Sequence, residues 1–305
     1  KASYTDDAVT GVGTHSYTVA IANDKGEGKK VSASAFIGIY TPTYTNTFDD
    51  EGSDAFFTSY LNGESVDGYN VIGWKYNSYS HVLELGYYPS QDALPATMDL
   101  MFPAIKLDKD SVYEVSFTWD NSIWGTAEAP AEFGYSRSGQ PSDLVKIGDL
   151  PKTAYGANKL MAFDIVTTDA GRYYPYVSIS TEEANYLSPT IDSIVIKTIG
   201  SAFAPDSVTN LKAVNDPTGA LAATVSFNAP AKDYAGNGLS GGLAVDIYRG
   251  ANNTIPVKTF SSVTPGETLT WTDNSALKGY DSYMVVARND YGRGRAANDT
   301  CYVGV

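Results

Sequence analysis

The stretch VYEVSFTW, residues 112–119, decides the fold class. Tyr113, Val115, Phe117 and Trp119 alternate with Glu114, Ser116 and Thr118, so a period of two puts the large apolar set on one face and the polar set on the other. This is the pattern of a half-buried antiparallel strand. The same alternation continues outward in both directions. NVIGWKYNSYSHVLELGYY, ATMDLMFPAIKL, EFGYSRSG, LMAFDIVTT, YYPYVSIST and TIDSIVIKT are runs rich in Val, Ile, Thr, Tyr and Phe, broken by Gly, Pro, Asn and Asp. The chain reads as all-β. FDDEGSDAFFTSYLNG, residues 48–63, also allows a helical turn through Phe56, Phe57, Tyr60 and Leu61.

Bulk composition narrows the function. At 305 residues the chain has room for two domains or more, and 43% hydrophobic with 18% charged residues is the composition of an ordered protein. A formal charge of -14, without a dense Lys/Arg cluster, repels a phosphate backbone and argues against nucleic acid as a partner. No apolar run reaches the roughly 18 residues of a membrane span, and the N-terminus carries no basic-then-apolar leader pattern. Cys301 is the one cysteine, so no internal disulfide framework exists. Its neighbours TCYVGV make it a buried strand residue. His15 and His81 are the only histidines, which leaves little for a histidine triad or a histidine-rich metal site. His81 alternates with Leu83 and Leu85 and reads as a partly buried strand residue.

Outside the middle of the chain one sentence is written twice. YTDDAVTGVGTHSYTVAIANDKGEGKKVSASAFIGI, from Tyr4, lies over WTDNSALKGYDSYMVVARNDYGRGRAANDTCYVGV, from Trp271, with one residue inserted before the shared Ser-Tyr. Thr5, Asp6, Gly13, Ser16, Tyr17, Val19, Asn23, Asp24, Gly26 and Gly28 meet Thr272, Asp273, Gly279, Ser282, Tyr283, Val285, Asn289, Asp290, Gly292 and Gly294. His15 falls opposite Asp281, an exposed turn position.

GYDSYMVVARNDYGRG resembles the end of a fibronectin type III domain, where a Tyr, alternating apolar positions and Ala-x-Asn-x-x-Gly mark the F strand and the following turn. The resemblance makes Tyr283 the tyrosine-corner residue, its ring in the core and its hydroxyl bonded to backbone upstream. DSVTNLKAV, ATVSFNAPAKD and LAVDIYRG resemble strands A, B and C, with Phe227 where the family often has a core Trp. Residues 202–305 then form a complete module and residues 1–41 the second half of another. Half a sandwich cannot bury its core. Either the missing strands lie in a further part of the parent protein, which the start inside a motif favours, or the half-module rests on the middle domain.

The middle segment, residues 42–201, supplies the eight or more strands of a jelly-roll sandwich. Its opening F-D-x-E, MFPAIKL, YEVSFTW and closing IDSIVI resemble the galactose-binding-like, MAM-like jelly rolls of the cleaved-adhesin group. Such domains alternate with fibronectin type III modules in secreted bacterial surface proteins. The resemblance implies a non-catalytic adhesion or binding protein on the cell surface or secreted, with a glycan or glycoprotein as partner. It also implies structural calcium, with Asp49, Asp50, Glu51 and Asp192 as the matching ligands, since this hard cation takes six to eight oxygens. In an ordinary turn the same acids are simply solvated.

Aromatics suit sugar C–H faces. Trp119 belongs to the core by its alternation, whereas Trp124 lies in the loop-like WDNSIWGTAEAP and is either an exposed platform or a loop-packing residue. Asp120, Asn121, Tyr135 and Arg137 are its expected polar and aromatic partners. A hydrolase would need paired carboxylates. Asp99, Glu114, Glu132 and Asp164 lie on or beside strands facing outward by default, and no pair stands out. A structural spacer or protein-interaction module accessory to a larger surface enzyme is the alternative to the binding module.

Overall fold

The computed structural model describes residues 13–37, 39–50, 53–54, 56–66, 73–86, 94–121, 129–154, 156–182, 187–250 and 254–305. They form antiparallel β-sheets with a 3-10 turn at Pro141–Asp143, and no α-helix occurs among them. Two compact units are present: Lys1–Leu107, Glu114–Ile165 and Ala170–Lys197 make the first, and Asp108–Tyr113, Val166–Asp169 and Thr198–Val305 the second.

The first unit opens with a hairpin. β1 (Gly13–Val19) pairs with β4 (Val31–Ile37), while the short β2 (Ala22–Asn23) and β3 (Gly26–Glu27) close its tip. The sandwich follows with β5 (Tyr44–Asn46), β6 (Thr58–Leu61), β7 (Glu64–Val66), β8 (Gly73–Asn77), β9 (Val82–Gly86), β10 (Ala96–Met101) and β11 (Ile105–Leu107). It is completed by β12 (Ser111–Asp120), β13 (Ala131–Ser136), β14 (Val145–Leu150), β15 (Lys159–Val166), β16 (Gly171–Thr181) and β17 (Thr190–Ser201). One sheet runs β14-β13-β16-β10-β6-β7 with β11 also on β16; the other runs β15-β12-β17-β9-β8 with β5 also on β17. Segments distant in sequence thus become neighbours, the arrangement of a jelly-roll-type sandwich.

Alternation explains the core. On β12, Val115, Phe117 and Trp119 are fully buried while Glu114 reaches Lys197 at 2.7 Å, and the Trp119 indole donates to the Pro151 carbonyl at 2.9 Å. Phe117 stands between the layers, with ring centroids 6.2 Å from Phe102, 5.5 Å from Phe133 and 6.3 Å from Phe163. Phe102 continues the contact to Phe57 at 5.4 Å, and Phe57 to Phe48 at 5.6 Å. Tilted and offset rings of this kind add to the area they bury.

Two local readings change. Residues 58–61 are strand β6, because pairing with β10 satisfies their backbone where a single helical turn could not. His81 lies in the four-residue turn between β8 and β9 with φ 55°, exposed, its Nδ1 3.0 Å from the Tyr76 hydroxyl. The alternation begins one residue later, at Val82.

The second unit contains β18 (Thr209–Asn215), β19 (Ala223–Asn228), β20 (Leu243–Arg249), β21 (Lys258–Val263), β22 (Thr268–Asp273), β23 (Gly279–Asn289), β24 (Gly292–Arg293) and β25 (Ala297–Val303). A three-stranded sheet β18-β19-β22 packs on β21-β20-β23, with β24 and β25 both on β23. Val225, Phe227, Leu269, Val245, Ile247, Tyr283, Val285, Ala287, Cys301 and Val303 form one core. The Tyr283 hydroxyl donates at 3.0 Å to Asp273 Oδ2, a side chain and not the backbone expected of it. Asp273 is buried and also takes Arg249 and the Ser275 amide, so its charge is compensated from three directions.

Phe117→Ala should lower the stability of the first unit by about 3–5 kcal/mol, because it opens a cavity between three other rings. Urea denaturation checks this; a loss under 1 kcal/mol would show that the rings are not what joins the sheets.

Candidate functional site

The outward face of the seven-stranded sheet carries a polar row. Cross-strand pairing places Asp149 (β14) beside Glu132 (β13), Glu132 beside Ser178 (β16), Ser178 beside Asp99 (β10) and Asp99 beside Tyr60 (β6). All five share a face because each sits one residue from a core position, such as Phe133, Val177 and Leu100. Asp99 and Glu132 are two strands apart, about 10 Å between Cα atoms. The next row adds Thr97 and Ser180, whose hydroxyls lie 3.2 Å apart, and Asn62, whose side-chain oxygen accepts the Thr97 amide at 2.8 Å.

Over this face lies a cleft of about 520 Å³, lined by Asp99, Glu132, Lys146, Asp149, Ser178 and Ser180 among others. That is the size of a small-molecule or oligosaccharide subsite. One end is closed by residues 137–144. Asp143 accepts from the Ser136 hydroxyl, from the Ser138 hydroxyl at 2.8 Å, and from the Arg137 and Ser138 amides at 3.1 and 2.9 Å. Burial works to raise the Asp143 carboxyl, but these hydrogen bonds outweigh it and hold it below the ordinary value. The Tyr60 hydroxyl donates to the Gly139 carbonyl at 2.9 Å, and Leu144 and Tyr174 pack on Tyr60, Met101 and Tyr176. Gly134 makes room for this: a Cβ there would stand 2.1 Å from the Val145 oxygen and 2.6 Å from the Tyr176 ring.

Charge in the cleft is unbalanced. Lys146 reaches Asp149 at 2.7 Å and Glu132 at 3.3 Å, and these two hold its ammonium above the ordinary value. Glu132 also accepts the Tyr176 hydroxyl at 2.8 Å; burial first, and then this bond, push the phenol up. Asp99 is 2% exposed, and its Oδ1 has no hydrogen-bond partner among the described residues. Burial raises its pKa most, the Glu132 charge adds to that, and a hydrogen bond with Ser178 opposes both.

Of the residues expected to bind a ligand, Asp120, Asn121, Tyr135 and Arg137 do not line this cleft. Asp120 is buried, and its carboxylate takes the Thr153 hydroxyl and the Gly156 amide at 2.7 Å each, which clamps the loop after β14. Asn121 is buried beside it; its backbone N–H donates to the Thr153 hydroxyl at 2.7 Å, and its side-chain Oδ1 and Nδ2 have no partner among the described residues. Tyr135 and Arg137 do come together, on Tyr173: the Tyr135 ring is 5.1 Å away and the Arg137 guanidinium 4.0 Å above the centroid. By alternation Tyr135 faces opposite to Glu132. Trp124 lies outside the described residues, as does Glu51. Asp49 and Asp50 are exposed, and Asp192 accepts the Ser193 amide at 2.6 Å. β5 pairs with β17 through Asn46 and Ile194, so these acids occupy the same end of adjacent strands. Among the described residues no group of three metal-ligating side chains forms. Asp99 and Glu132 were legible only as outward acids; the register that joins them was not.

No family model matches the chain, and no curated protein does. Among solved structures, the glycoside hydrolase domain of Endo-D from Streptococcus pneumoniae R6 is 14% identical with a TM-score of 0.32; the alignment covers 80% of this chain and 37% of that one. The adhesin domain of Epf from Streptococcus pyogenes is 13% identical over 86% of this chain and 96% of that one, TM-score 0.36. The K1 cleaved adhesin domain of Lys-gingipain from Porphyromonas gingivalis W83 is 14% identical over 52% and 99%, TM-score 0.33. Values this low carry no argument about what the chain binds.

The raised Asp99 pKa sets a sign. Its folded-state value exceeds the unfolded one, so the native state loses stability as pH rises from about 4 through the raised value. Asp99→Asn should therefore melt above wild type at pH 7, and the two should converge below about pH 4. A pH-independent difference in melting temperature would contradict this.

Proposed function

We propose that the first unit is a non-catalytic glycan-binding module of a secreted or cell-surface protein, and that the cleft over Asp99, Ser178 and Glu132 is its binding site. The observation that carries this reading is the polar row itself: Asp99, Ser178 and Glu132 lie side by side on adjacent strands beneath an open cleft and are flanked by hydroxyls. Glu132, Ser178, Ser180, Thr97 and Asn62 offer donors and acceptors to sugar hydroxyls along the cleft. Three carboxylates against one ammonium repel uronic acids and favour neutral or amino-bearing sugars. The second unit, on this reading, is a fibronectin type III spacer.

The test is a glycan array with the whole chain, followed by calorimetry on any hit. Glu132→Gln and Ser178→Ala should each weaken binding by about 10–100-fold, as expected for hydrogen bonds at a charged group. Loss with Trp124→Ala but not with these two would move the site to residues 122–128. A blank array from folded protein would favour the spacer reading. The two acids flanking Ser178 also favour a hydrolase as a second reading; turnover of a bound glycan, lost in both Asp99→Asn and Glu132→Gln, would establish it in place of simple binding.

Calcium at residues 49–51 and Asp192 is a separate proposal of the resemblance. A native-state ligand must raise the melting temperature, so EDTA should lower it and added calcium restore it; no change with EDTA would remove the ion from consideration.

A further inference from the structure

The two copies of the repeated sentence fold into the same hairpin. β1 and β4 pair from Gly13↔Ile37 to Val19↔Val31; β23 and β25 pair from Gly279↔Val303 to Val285↔Ala297, the same seven pairs in the same register. The tips agree as well, Asn23↔Gly26 against Asn289↔Gly292, with φ of 133° at Gly26 and 139° at Gly292. The Lys25 amide donates to Asn23 Oδ1 and the Tyr291 amide to Asn289 Oδ1, both at 2.9 Å. Gly28 donates to the Ile21 carbonyl at 2.7 Å, and Gly294 to the Ala287 carbonyl at 2.8 Å.

Burial separates them. In the second unit Tyr283, Val285 and Ala287 are 0% exposed, sealed in a core with Val225, Phe227 and Leu269 of the three-stranded sheet β18-β19-β22. On the matching face of the first hairpin Val19 is 68% exposed, Ile21 85%, and Val31, opposite Val19, 67%, while Tyr17, two residues before Val19, is half-buried. An exposed apolar face of this kind on a two-stranded hairpin is marginal by itself. Glycine tells the same story. Gly294 is required because a Cβ there would lie 2.2 Å from the Pro205 carbonyl, in the segment leading into β18. Gly28 keeps the glycine, although the one atom a Cβ there would approach is the Ile21 oxygen at 3.1 Å.

We propose that residues 13–37 are the closing hairpin of a second sandwich of the C-terminal kind, and that the Tyr17, Val19, Ile21 and Val31 face docks a three-stranded antiparallel sheet equivalent to β18-β19-β22. The sheet is supplied in cis, by strands that precede the hairpin in the parent chain. The sequence itself points there: Tyr4, Thr5 and Asp6 align with Trp271, Thr272 and Asp273, the end of β22. Asp273 is the buried acceptor of the Tyr283 hydroxyl, so the repeat keeps both members of that pair, as Asp6 and Tyr17. The protein is then a tandem of like modules around the binding sandwich.

The test extends the full chain at its N-terminus with residues 203–270 of its own sequence, joined directly to Tyr4. Hydrogen exchange read by mass spectrometry should slow about 100-fold across residues 13–37, and Val19→Asp in the extended chain should abolish the gain. A second variant, Ile21→Ala with Val31→Ala, gives the face the identities found at Ala287 and Ala297 and removes any misfit to the supplied sheet. Unchanged exchange in both extended chains would overturn the proposal. So would a dimer of the unextended chain, seen by sedimentation and broken by Val19→Asp, because a second copy would then be the occupant.

Discussion

Phe117 and the rings around it are the constraint on which the first unit depends. Phe102 and Phe133 belong to one layer, Phe117 and Phe163 to the other, and the 4.6 Å contact between Phe133 and Phe163 closes the stack. Once these rings face each other, parity is set along β10, β12, β13 and β16. Leu100, Phe133 and Val177 must point inward, so Asp99, Glu132 and Ser178 must point outward. A slip of one residue in β10, β12 or β13 would place a carboxylate among phenylalanines, and in β16 it would place Ser178 there. The polar row is thus a consequence of the core.

An outward strand face is ordinarily solvated, and part of this one is covered. Residues 137–144, held by Asp143, cover its lower part and bury Tyr60, Met101 and Tyr176, and Asp99 at the margin shares their burial. The cover turns a flat sheet into a walled cleft and raises the cost of the charge on Asp99. Glu132 escapes that cost through Lys146 and Tyr176. Two acids of like chemistry therefore sit in unlike environments, and Asp99 is the less compensated of the two.

The duplicated hairpin shows local and tertiary information acting separately. Ser-Tyr-x-Val followed by Asn-x-x-Gly produces the same register and the same turn twice, once inside a sealed core and once with its apolar face in water. Turn chemistry and strand propensity suffice for the hairpin. They do not decide whether it is covered.

Much of this protein was legible in its residues. The alternation of Val115, Phe117 and Trp119, the burial of Cys301 and the all-β character follow from period and composition, because the pleat forces successive side chains to opposite faces. The identity of the two hairpins was also written in the chain. Other features waited for the fold: His81 became a turn residue, the Tyr283 hydroxyl found a carboxylate, and Asp120 closed a loop. The sequence by itself determined which way each side chain faces along its own strand. Only the tertiary structure decided which outward side chains meet, because β10, β13 and β16 are distant in sequence, and pairing between them follows from packing the cores of both sheets together.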